Sequence, residues 1–468
     1  MEPGTELKSE STPMGWIEVI RLGVVQACLG AMVVVATSTL NRIMVVELSL
    51  QALLPGLLVA FHYLVQMIRP RLGFGADQGR RCTPWMMFGM VCLALGGNIA
   101  TWATIQMAEA TAFGLAVCAV GFALIGVGVS ACGTSLLALM AKRVPSTMRA
   151  QAATTVWVMM IMGFALTAFT VGQFIEPYTP QRLMQVTQVL GMLICALTAL
   201  AIWGLEPHEP RPLGVGSPAV ALSPAGDSQA ARASDFRAAL QSVWQEPQAR
   251  CFTVFVFLSM LAYSTQDLVL EPFAGAIFGF SPGQSTQLSG VHHSGVLVGM
   301  LLVALSNSRW VAGRMGRTQA WMVGGCLGSA LAMAGLSLAG WQAPQWPLKL
   351  NVVLLGVANG AFSIAAIATM MRLANASGAQ SQGIRMGLWG AAQAIAFGVG
   401  NLLGTLLSDL AHWLLSAPAW SYATVFLVET VMFLVAARLA IRVGQFDATP
   451  SQASQPLSPA MQRIRHEH

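Results

Sequence analysis

Long runs of apolar residues, separated by short polar connections, make up most of this chain. Each run is close to the roughly 20 apolar residues that an α-helix needs to cross the hydrocarbon core of a bilayer. The apolar residues are continuous and do not alternate with polar ones, so the runs predict helices rather than barrel strands. Twelve spans are predicted, near residues 20–40, 53–69, 84–105, 111–140, 152–175, 184–204, 251–270, 286–306, 319–340, 348–370, 386–408 and 422–441.

One long polar stretch divides the twelve spans into two sets of six. Residues 205–250 are rich in Pro, Ala, Ser and Gly, and such a segment cannot bury enough apolar surface to order itself. The predicted organisation is an N-terminal segment (1–19), a six-helix bundle (20–204), a linker (205–250), a second six-helix bundle (251–441) and a polar tail (442–468).

Composition and charge agree with a membrane protein. Of the 468 residues, 55% are hydrophobic and only 9% are charged, whereas a soluble protein carries roughly 25% charged residues. The net charge of +6 therefore does not call for a nucleic-acid partner. If the N-terminus is cytoplasmic, only Arg42, Arg182 and Lys349 of the 25 Lys and Arg residues fall on the outer side. Since cytoplasmic loops hold an excess of Lys and Arg, both termini are predicted to be cytoplasmic.

The two halves resemble each other in sequence. The loop at 71–81 after the second span and the loop at 309–317 after the eighth span are both short, basic and Gly-containing, and each precedes a helix that opens on Trp. Two six-helix halves around a central loop are typical of the major facilitator architecture. The predicted fold is therefore an all-α membrane protein with twelve transmembrane helices in two six-helix bundles.

The first of these loops resembles the signature loop of the major facilitator superfamily. The matching residues are Gly73, Asp77, Gly79, Arg80 and Arg81. One residue is missing after Asp77, and Gln78 stands where a basic residue is usual. Glycines allow a tight turn, and Asp77 can pair with an arginine or cap a helix end. The alternative is a generic basic loop on the cytoplasmic side.

Two polar strings lie at the predicted outer ends of the first and seventh spans, which are equivalent helices in a two-half fold. The polar residues are Asn41, Arg42 and Glu47 in the first string and Gln266, Asp267 and Glu271 in the second. Arg42 and Asp267 hold matching positions with opposite charge, so we expect them to meet across the interface between the halves. An ion pair between them would hold the two halves together at the outer side. The alternatives are that the two residues bind a ligand or that they face the water outside.

Histidines inside the apolar runs are candidate ligands. His62 and Gln66 share one face of the second span, because they are four residues apart. A neutral imidazole can bind the metal of a macrocycle axially, or it can form a hydrogen bond with a neighbouring helix. His292 and His293 are predicted near the start of the eighth span, with at most one of them entering the bundle. Because they lie near a helix end, we expect these two histidines to act at the membrane–water interface.

Two further features of the sequence, a glutamate within a span and a set of glycine pairs, each have two interpretations. Glu429 lies between apolar residues of the last span, where it takes part in proton coupling or pairs with a hydroxyl or amide of an adjacent helix. Four Gly-x-x-x-Gly pairs in the second half allow close helix contact, either inside the bundle or in a groove for a single-span partner helix. These pairs are Gly295/Gly299, Gly324/Gly328, Gly356/Gly360 and Gly400/Gly404.

No catalytic motif, dinucleotide fingerprint or metal-ligand cluster is recognisable in the sequence, so no enzymatic activity is predicted. Several strings, however, resemble the PucC/LhaA family, the bacteriochlorophyll-delivery branch of the major facilitator superfamily. They include Ser38–Leu48, Leu54-Pro55-Gly56, His62-Tyr63, Arg80–Trp85, Gln266–Phe273 and Gly290–Leu297. The resemblance covers essentially all twelve spans.

This resemblance implies a role in assembling light-harvesting antenna complexes of phototrophic bacteria. It implies that bacteriochlorophyll is bound transiently and loaded onto single-span antenna polypeptides in the photosynthetic inner membrane, with pigment-synthesis enzymes as further candidate partners. His62, Gln66, His292 and His293 are then candidate pigment-binding residues. The alternative is a secondary transporter that moves a small solute or pigment precursor by alternating access, which requires central polar residues and a proton or sodium site.

Overall fold

Twelve helical elements follow one another in the computed structural model, which describes residues 14–68, 81–145, 148–206, 241, 244–306, 318–376, 379–415 and 417–448. The elements are α1 Trp16–Glu47, α2 Leu53–Val65, α3 Thr83–Gln106, α4 Thr111–Arg143, α5 Arg149–Phe174, α6 Pro180–Ile202, α7 Pro247–Phe278, α8 Pro282–Ser306, α9 Thr318–Ala339, α10 Leu348–Ala376, α11 Ala379–Leu414 and α12 Pro418–Ala448. Most of the predicted linker, four residues of the signature loop and most of the tail lie outside the described residues.

The predicted all-helical membrane fold is confirmed. Among the described residues, eleven helices are long and apolar enough to cross a membrane. The remaining helix, α2, has 13 residues and continues into a 3-10 turn at Gln66–Ile68, where the described range ends. Proline within the first turn helps to start α3, α6 and α7, because its missing N–H has no partner there in any case.

Helices α1 and α7 are irregular in equivalent places. The α-helical part of α1, Trp16–Val34, continues as π-helical segments at Val35–Leu40 and Ile43–Glu47. Helix α7 is interrupted by a 3-10 turn at Gln266–Leu268 and resumes from Leu270 to Phe278. The predicted ends of these spans, near residues 40 and 270, are wrong because the polar residues beyond them lie inside the protein.

Each half has its own hydrophobic core, and the halves meet along two helix pairs. One core is built almost entirely from α1–α6 and the other from α7–α12. Helix α5 packs against α8, and α2 packs against α11. The outer parts of α1 and α7 add a third contact. We call the end that holds the α1–α2 connection the outer end, following the predicted orientation; this orientation and the predicted domain boundaries remain predictions.

Most of the Gly-x-x-x-Gly pairs serve internal packing. A Cβ on Gly299 of α8 would collide with the carbonyl oxygen of Val357 in α10, and a Cβ on Gly360 would collide with that of Val296 in α8. Gly404 lies equally close to the carbonyl of Thr265 in α7. Small residues let helix backbones approach this closely. Gly324 of α9 differs, because a Cβ there would meet no atom within 4 Å.

Candidate functional site

Polar side chains of α1 cross to the second half at the outer end. The Asn41 amide donates to the carbonyl oxygen of Leu268 at 2.9 Å, and the Ser38 hydroxyl donates to the Glu271 carboxylate. The Thr39 hydroxyl shares a hydrogen bond of 3.1 Å with the hydroxyl of Thr286. Together with Arg42 and Phe280, these residues form what we call the outer latch. Its π-helical segments are a rare conformation that is frequent at functional sites.

Arg42 is the charged residue of the outer latch, and only 3% of its surface is exposed. Its guanidinium donates to Glu47 at 2.5 Å and to the carbonyl oxygen of Phe280 at 2.6 Å. The group lies against Gly275, whose missing side chain leaves room for it. The arginine therefore satisfies its charge within its own helix and reaches the second half through a backbone oxygen.

The predicted ion pair between Arg42 and Asp267 is wrong. Among the described residues, the carboxylate partner of Arg42 is Glu47, while Asp267 belongs to the 3-10 turn of α7. The other half of the prediction is correct, because the two polar strings do meet between the bundles. Just outside the spans, burial raises the pKa of the Tyr178 phenol; the Glu47 carboxylate raises that pKa further and Arg42 lowers it.

Two carboxylates cap helices of the opposite half at the same end. Glu176, after α5, accepts hydrogen bonds from the Ser281 hydroxyl and from the Gly283 amide at 3.0 Å, at the start of α8. Asp409 of α11 accepts from the Ala52 and Leu53 amides at 2.9 and 2.7 Å, at the start of α2. Helix N-termini expose unpaired N–H groups and favour negative charge. The sequence analysis assigned neither of these carboxylates a role.

The inner ends are held within each half. Glu206 accepts hydrogen bonds from the Cys82 and Thr83 amides at the start of α3, both at 2.9 Å. Arg81, the one signature-loop residue that is described, donates to the backbone oxygen of Glu206 at 3.3 Å. In the second half, Arg385 pairs with Glu246. The other predicted loop residues, Gly73, Asp77, Gly79 and Arg80, lie outside the described residues.

His62 and Gln66 face the interior of the first half. The ring Nδ1 of His62 lies 2.8 Å from the carbonyl oxygen of Val59, so Nδ1 is the donor of the neutral ring. Its Nε2 lies 2.9 Å from the Gln66 amide nitrogen and accepts that hydrogen bond. The predicted shared face is therefore present, and Gln66 occupies the imidazole nitrogen that would ligate a metal.

The placement predicted for His292 and His293 is wrong. They are the eleventh and twelfth residues of the 25-residue α8, so they lie in the middle of the helix rather than at its start. Both face protein. His292 is buried, and its Nε2 lies 3.3 Å from the amide nitrogens of Gln266 and Asn359.

His293 faces the first half. Its ring lies edge-on to Phe164 of α5, with the ring centroids 5.0 Å apart. Its Nδ1 lies 2.8 Å from the carbonyl oxygen of Ser289 and donates to it. The Nε2 atom then carries the lone pair of the neutral ring. Among the described residues this Nε2 has no hydrogen-bond partner, and the side chain is half-buried.

Glu429 is fully buried in α12, and neither carboxylate oxygen has a hydrogen-bond partner among the described residues. The expected pairing with a hydroxyl or amide of an adjacent helix is therefore wrong for this part of the chain. Asp267 of α7 is only partly buried. Gln266, beside it, is buried with its Oε1 atom unpartnered.

The architecture is that of the major facilitator transporters, with polar residues gathered along the interface of the two bundles. The peptide transporter POT, solved as a point mutant, aligns with a TM-score of 0.66 at 16% identity, covering 93% of this chain and 97% of that one. The nucleoside transporter NupG aligns with a TM-score of 0.61 at 16% identity, covering 92% and 99%. At such low identity, the likeness concerns the fold alone.

Sequence comparison then defines the family: the chain belongs to the PUCC protein family, whose model matches residues 39–447. A protein of Rhodobacter capsulatus named "Bacteriochlorophyll synthase 44.5 kDa chain" is 44% identical over 430 residues, covering 92% of this chain and 96% of the relative. "Protein PucC" of Rhodobacter capsulatus is 27% identical over 461 residues, covering 94% of each chain. The predicted family resemblance is confirmed.

Proposed function

We propose that this protein binds bacteriochlorophyll and delivers it to single-span antenna polypeptides during light-harvesting complex assembly. Membership of the PUCC family over residues 39–447 is the observation that carries the proposal. The names of two relatives, which refer to PucC and to bacteriochlorophyll synthase, agree with a role beside pigment metabolism. The site of action would be the photosynthetic inner membrane, with both termini cytoplasmic and pigment-synthesis enzymes as further partners.

The residue best suited to hold pigment is His293. Bacteriochlorophyll carries a magnesium that accepts an axial ligand, and a neutral imidazole with a free Nε2 lone pair provides one. His293 has its Nδ1 hydrogen directed to Ser289 and its Nε2 unpartnered among the described residues. His62 and His292 accept amide hydrogen bonds at Nε2, so binding a metal would break those bonds.

The surroundings of His293 suit an apolar macrocycle. The ring of Phe164 contacts the imidazole from the other half. On the same helix as Phe164, Phe169 is exposed and lies against Gly290 of α8. The boundary between α5 and α8 thus offers apolar surface along which a pigment could reach His293 from the lipid.

The proposal is tested by purifying the protein from a phototrophic host in mild detergent and recording its absorption spectrum. His293→Leu is expected to abolish bound pigment while leaving the elution profile unchanged. His293→Gly with added imidazole is expected to restore pigment, because the free base replaces the missing ligand. His412→Leu, which changes a histidine at the outer end of α11, is the matched control and should retain pigment. Pigment that persists in His293→Leu would remove the assignment of this ligand.

The function itself is tested in a deletion strain. We expect lower levels of assembled antenna complex, measured by membrane absorption, and restoration by the wild-type gene but not by His293→Leu. Normal antenna levels together with loss of uptake or export of a dissolved compound would contradict the proposal. That result would favour the second candidate, a secondary transporter, which the likeness to the peptide and nucleoside transporters over more than 90% of the chain supports.

A further inference from the structure

The two helix pairs that join the bundles, α5 with α8 and α2 with α11, are built alike. At the outer end of each pair, a carboxylate of one half accepts a hydrogen bond from a backbone amide at the start of a helix in the other half. Glu176 accepts from Gly283 of α8 at 3.0 Å, and Asp409 accepts from Leu53 of α2 at 2.7 Å. These contacts define a register between the two pairs, in which Gly283 corresponds to Leu53.

The same register aligns the histidines of α8 with residues of α2. His292 in α8 and His62 in α2 each lie nine residues after the capped amide of their own helix. Both are buried, and the Nε2 atom of each lies near a side-chain amide nitrogen, at 3.3 Å for His292 and at 2.9 Å for His62. The next residue is His293 in α8 and Tyr63 in α2. The caps and the buried histidines therefore agree that His293 corresponds to Tyr63.

His293 and Tyr63 each face an aromatic ring of the opposite half. The Phe164 ring of α5 lies 5.0 Å from the His293 ring, and the Phe397 ring of α11 lies 6.2 Å from the Tyr63 ring, measured between centroids. Each phenylalanine lies twelve residues before the carboxylate that caps the opposite half. At 1.5 Å per residue, both ring pairs lie about 15–18 Å below the outer caps. All four side chains are half-buried.

The two boundaries are also linked by a row of rings through the second half. Neighbouring ring centroids in this row lie 6.2, 5.9, 6.2 and 5.2 Å apart. The row runs through Tyr63, Phe397, Tyr263, His292 and His293. Both boundaries thus belong to one aromatic layer, and each offers apolar rings to a flat macrocycle.

The boundaries differ in the metal ligand that they present. His293 directs its Nδ1 hydrogen to Ser289, so a lone pair remains on Nε2. Tyr63 presents a phenol, which stays protonated at neutral pH and so lacks the anionic oxygen with which tyrosine binds a metal. His62, beside it, accepts a hydrogen bond from Gln66 at its Nε2. We propose, on the basis of the proposed function, that Tyr63 confines axial ligation to the α5–α8 boundary, so that the protein carries one macrocycle and presents it on one side.

A single substitution is then expected to create a second ligand site. In Tyr63→His, the imidazole Nδ1 would reach the carbonyl oxygen of Val59, four residues earlier, as His293 reaches that of Ser289, also four residues earlier. The carbonyl of Val59 already accepts from His62, but a carbonyl oxygen has two lone pairs. The Nε2 atom would then be available to a metal beside the phenylalanine of α11.

The proposal is tested by titrating the purified protein, produced in a non-phototrophic host, with magnesium protoporphyrin in detergent. The shift of the porphyrin absorption band on axial ligation measures the number of bound equivalents. We expect one equivalent in the wild type, two in Tyr63→His and one in Tyr63→Phe. Phe61→His, which adds a histidine at an exposed position of the same helix, should also bind one. Two equivalents in the wild type, or one in Tyr63→His, would overturn the role of Tyr63.

Exchanging the two residues provides a second test. His293→Tyr combined with Tyr63→His should bind one equivalent, now at the α2–α11 boundary, whereas His293→Leu should bind none. An exchanged variant that elutes normally but binds no porphyrin would overturn the equivalence of the two boundaries. One equivalent in both the wild type and Tyr63→His would contradict this inference alone. No binding in any of these proteins would contradict the proposed function together with it.

Discussion

The outer end of α1 and the equivalent part of α7 contribute to one interface in opposite ways. In α1, the side chains of Ser38, Asn41 and Arg42 donate hydrogen bonds to the second half. In the second half the partners are acceptors: the carboxylate of Glu271 and backbone oxygens, including that of Leu268. In these three hydrogen bonds, α1 supplies the hydrogens and the second half supplies the oxygens.

This difference extends to charge compensation. The cation of α1, Arg42, is neutralised within its own helix by Glu47. On the acidic side, Glu271 accepts a hydrogen bond from Ser38 and keeps one oxygen without a partner among the described residues, and Glu429 keeps two. We therefore expect that changes to the hydrogen-bonding side chains of α1 reduce the stability of this interface.

The largest effect is expected from Arg42→Met. Removing one partner of a buried ion pair costs roughly 3–5 kcal/mol, and because Glu47 is partly exposed we expect about 3 kcal/mol in the free energy of unfolding. The substitution also leaves the carbonyl oxygen of Phe280 without its donor. Equilibrium unfolding in mixed micelles measures the change. The matched control is Lys349→Met, an exposed cation of the same outer side, with an expected change within about 0.5 kcal/mol.

If the two substitutions cost the same, the contribution of the outer latch to stability would be contradicted. The comparison is informative because both variants remove one positive charge and introduce the same side chain. They differ in the cation that is removed, Arg or Lys, and in its burial and partners.

The next effect concerns the packing that holds the 3-10 turn of α7 in place. Gly404→Ala would place a methyl group against the carbonyl oxygen of Thr265, immediately before that turn. Overpacking of this kind costs roughly 1–3 kcal/mol, because two helix backbones must separate. Gly324→Ala adds the same methyl group where no atom lies within 4 Å and should be nearly neutral. Apparent melting temperatures of the two variants provide the test; equal values would contradict the close α7–α11 contact.

A smaller effect is expected from the two carboxylates that cap helices of the opposite half. Glu176→Gln and Asp409→Asn should each cost about 1 kcal/mol, the usual contribution of a helix cap with its dipole interaction. Because the two caps join different helix pairs, the costs should add within about 0.5 kcal/mol in the double variant. Hydrogen exchange at Gly283 and at Ala52 separates the two: each variant should raise exchange at its own helix start alone. Equal protection at both sites in the single variants would contradict the capping role.

The helices, their division into two halves and the family could be predicted from sequence, because hydrophobic runs and the polar strings of α1 and α7 are local signals. The meeting of those strings was predicted from the equivalence of helices in a two-half fold. The partners of Arg42 could not be predicted, because the π-helical segments of α1 change which neighbours the side chain reaches.

Other features of the site depend on contacts between distant residues. Glu176 meets Ser281 and Gly283 more than a hundred positions later, and nothing local distinguishes it from an ordinary loop glutamate. Its counterpart Asp409 suggests how it could have been found: a carboxylate at the outer end of α11 predicts one at the end of the equivalent helix, α5. The depth of His292 and His293 was misjudged because the start of α8 was placed at residue 286 rather than at Pro282.

The smallest effect is expected from a double-mutant cycle between Arg42 and Asp267, and it tests the comparison of α1 with α7 most directly. Since the partners of Arg42 are Glu47 and Phe280, the costs of Arg42→Met and Asp267→Asn should add, with a coupling energy within about 0.5 kcal/mol. The cycle between Arg42 and Glu47 should show a clearly larger coupling, because those groups are in contact. A large coupling between Arg42 and Asp267 would mean that the charges of the two helices do pair.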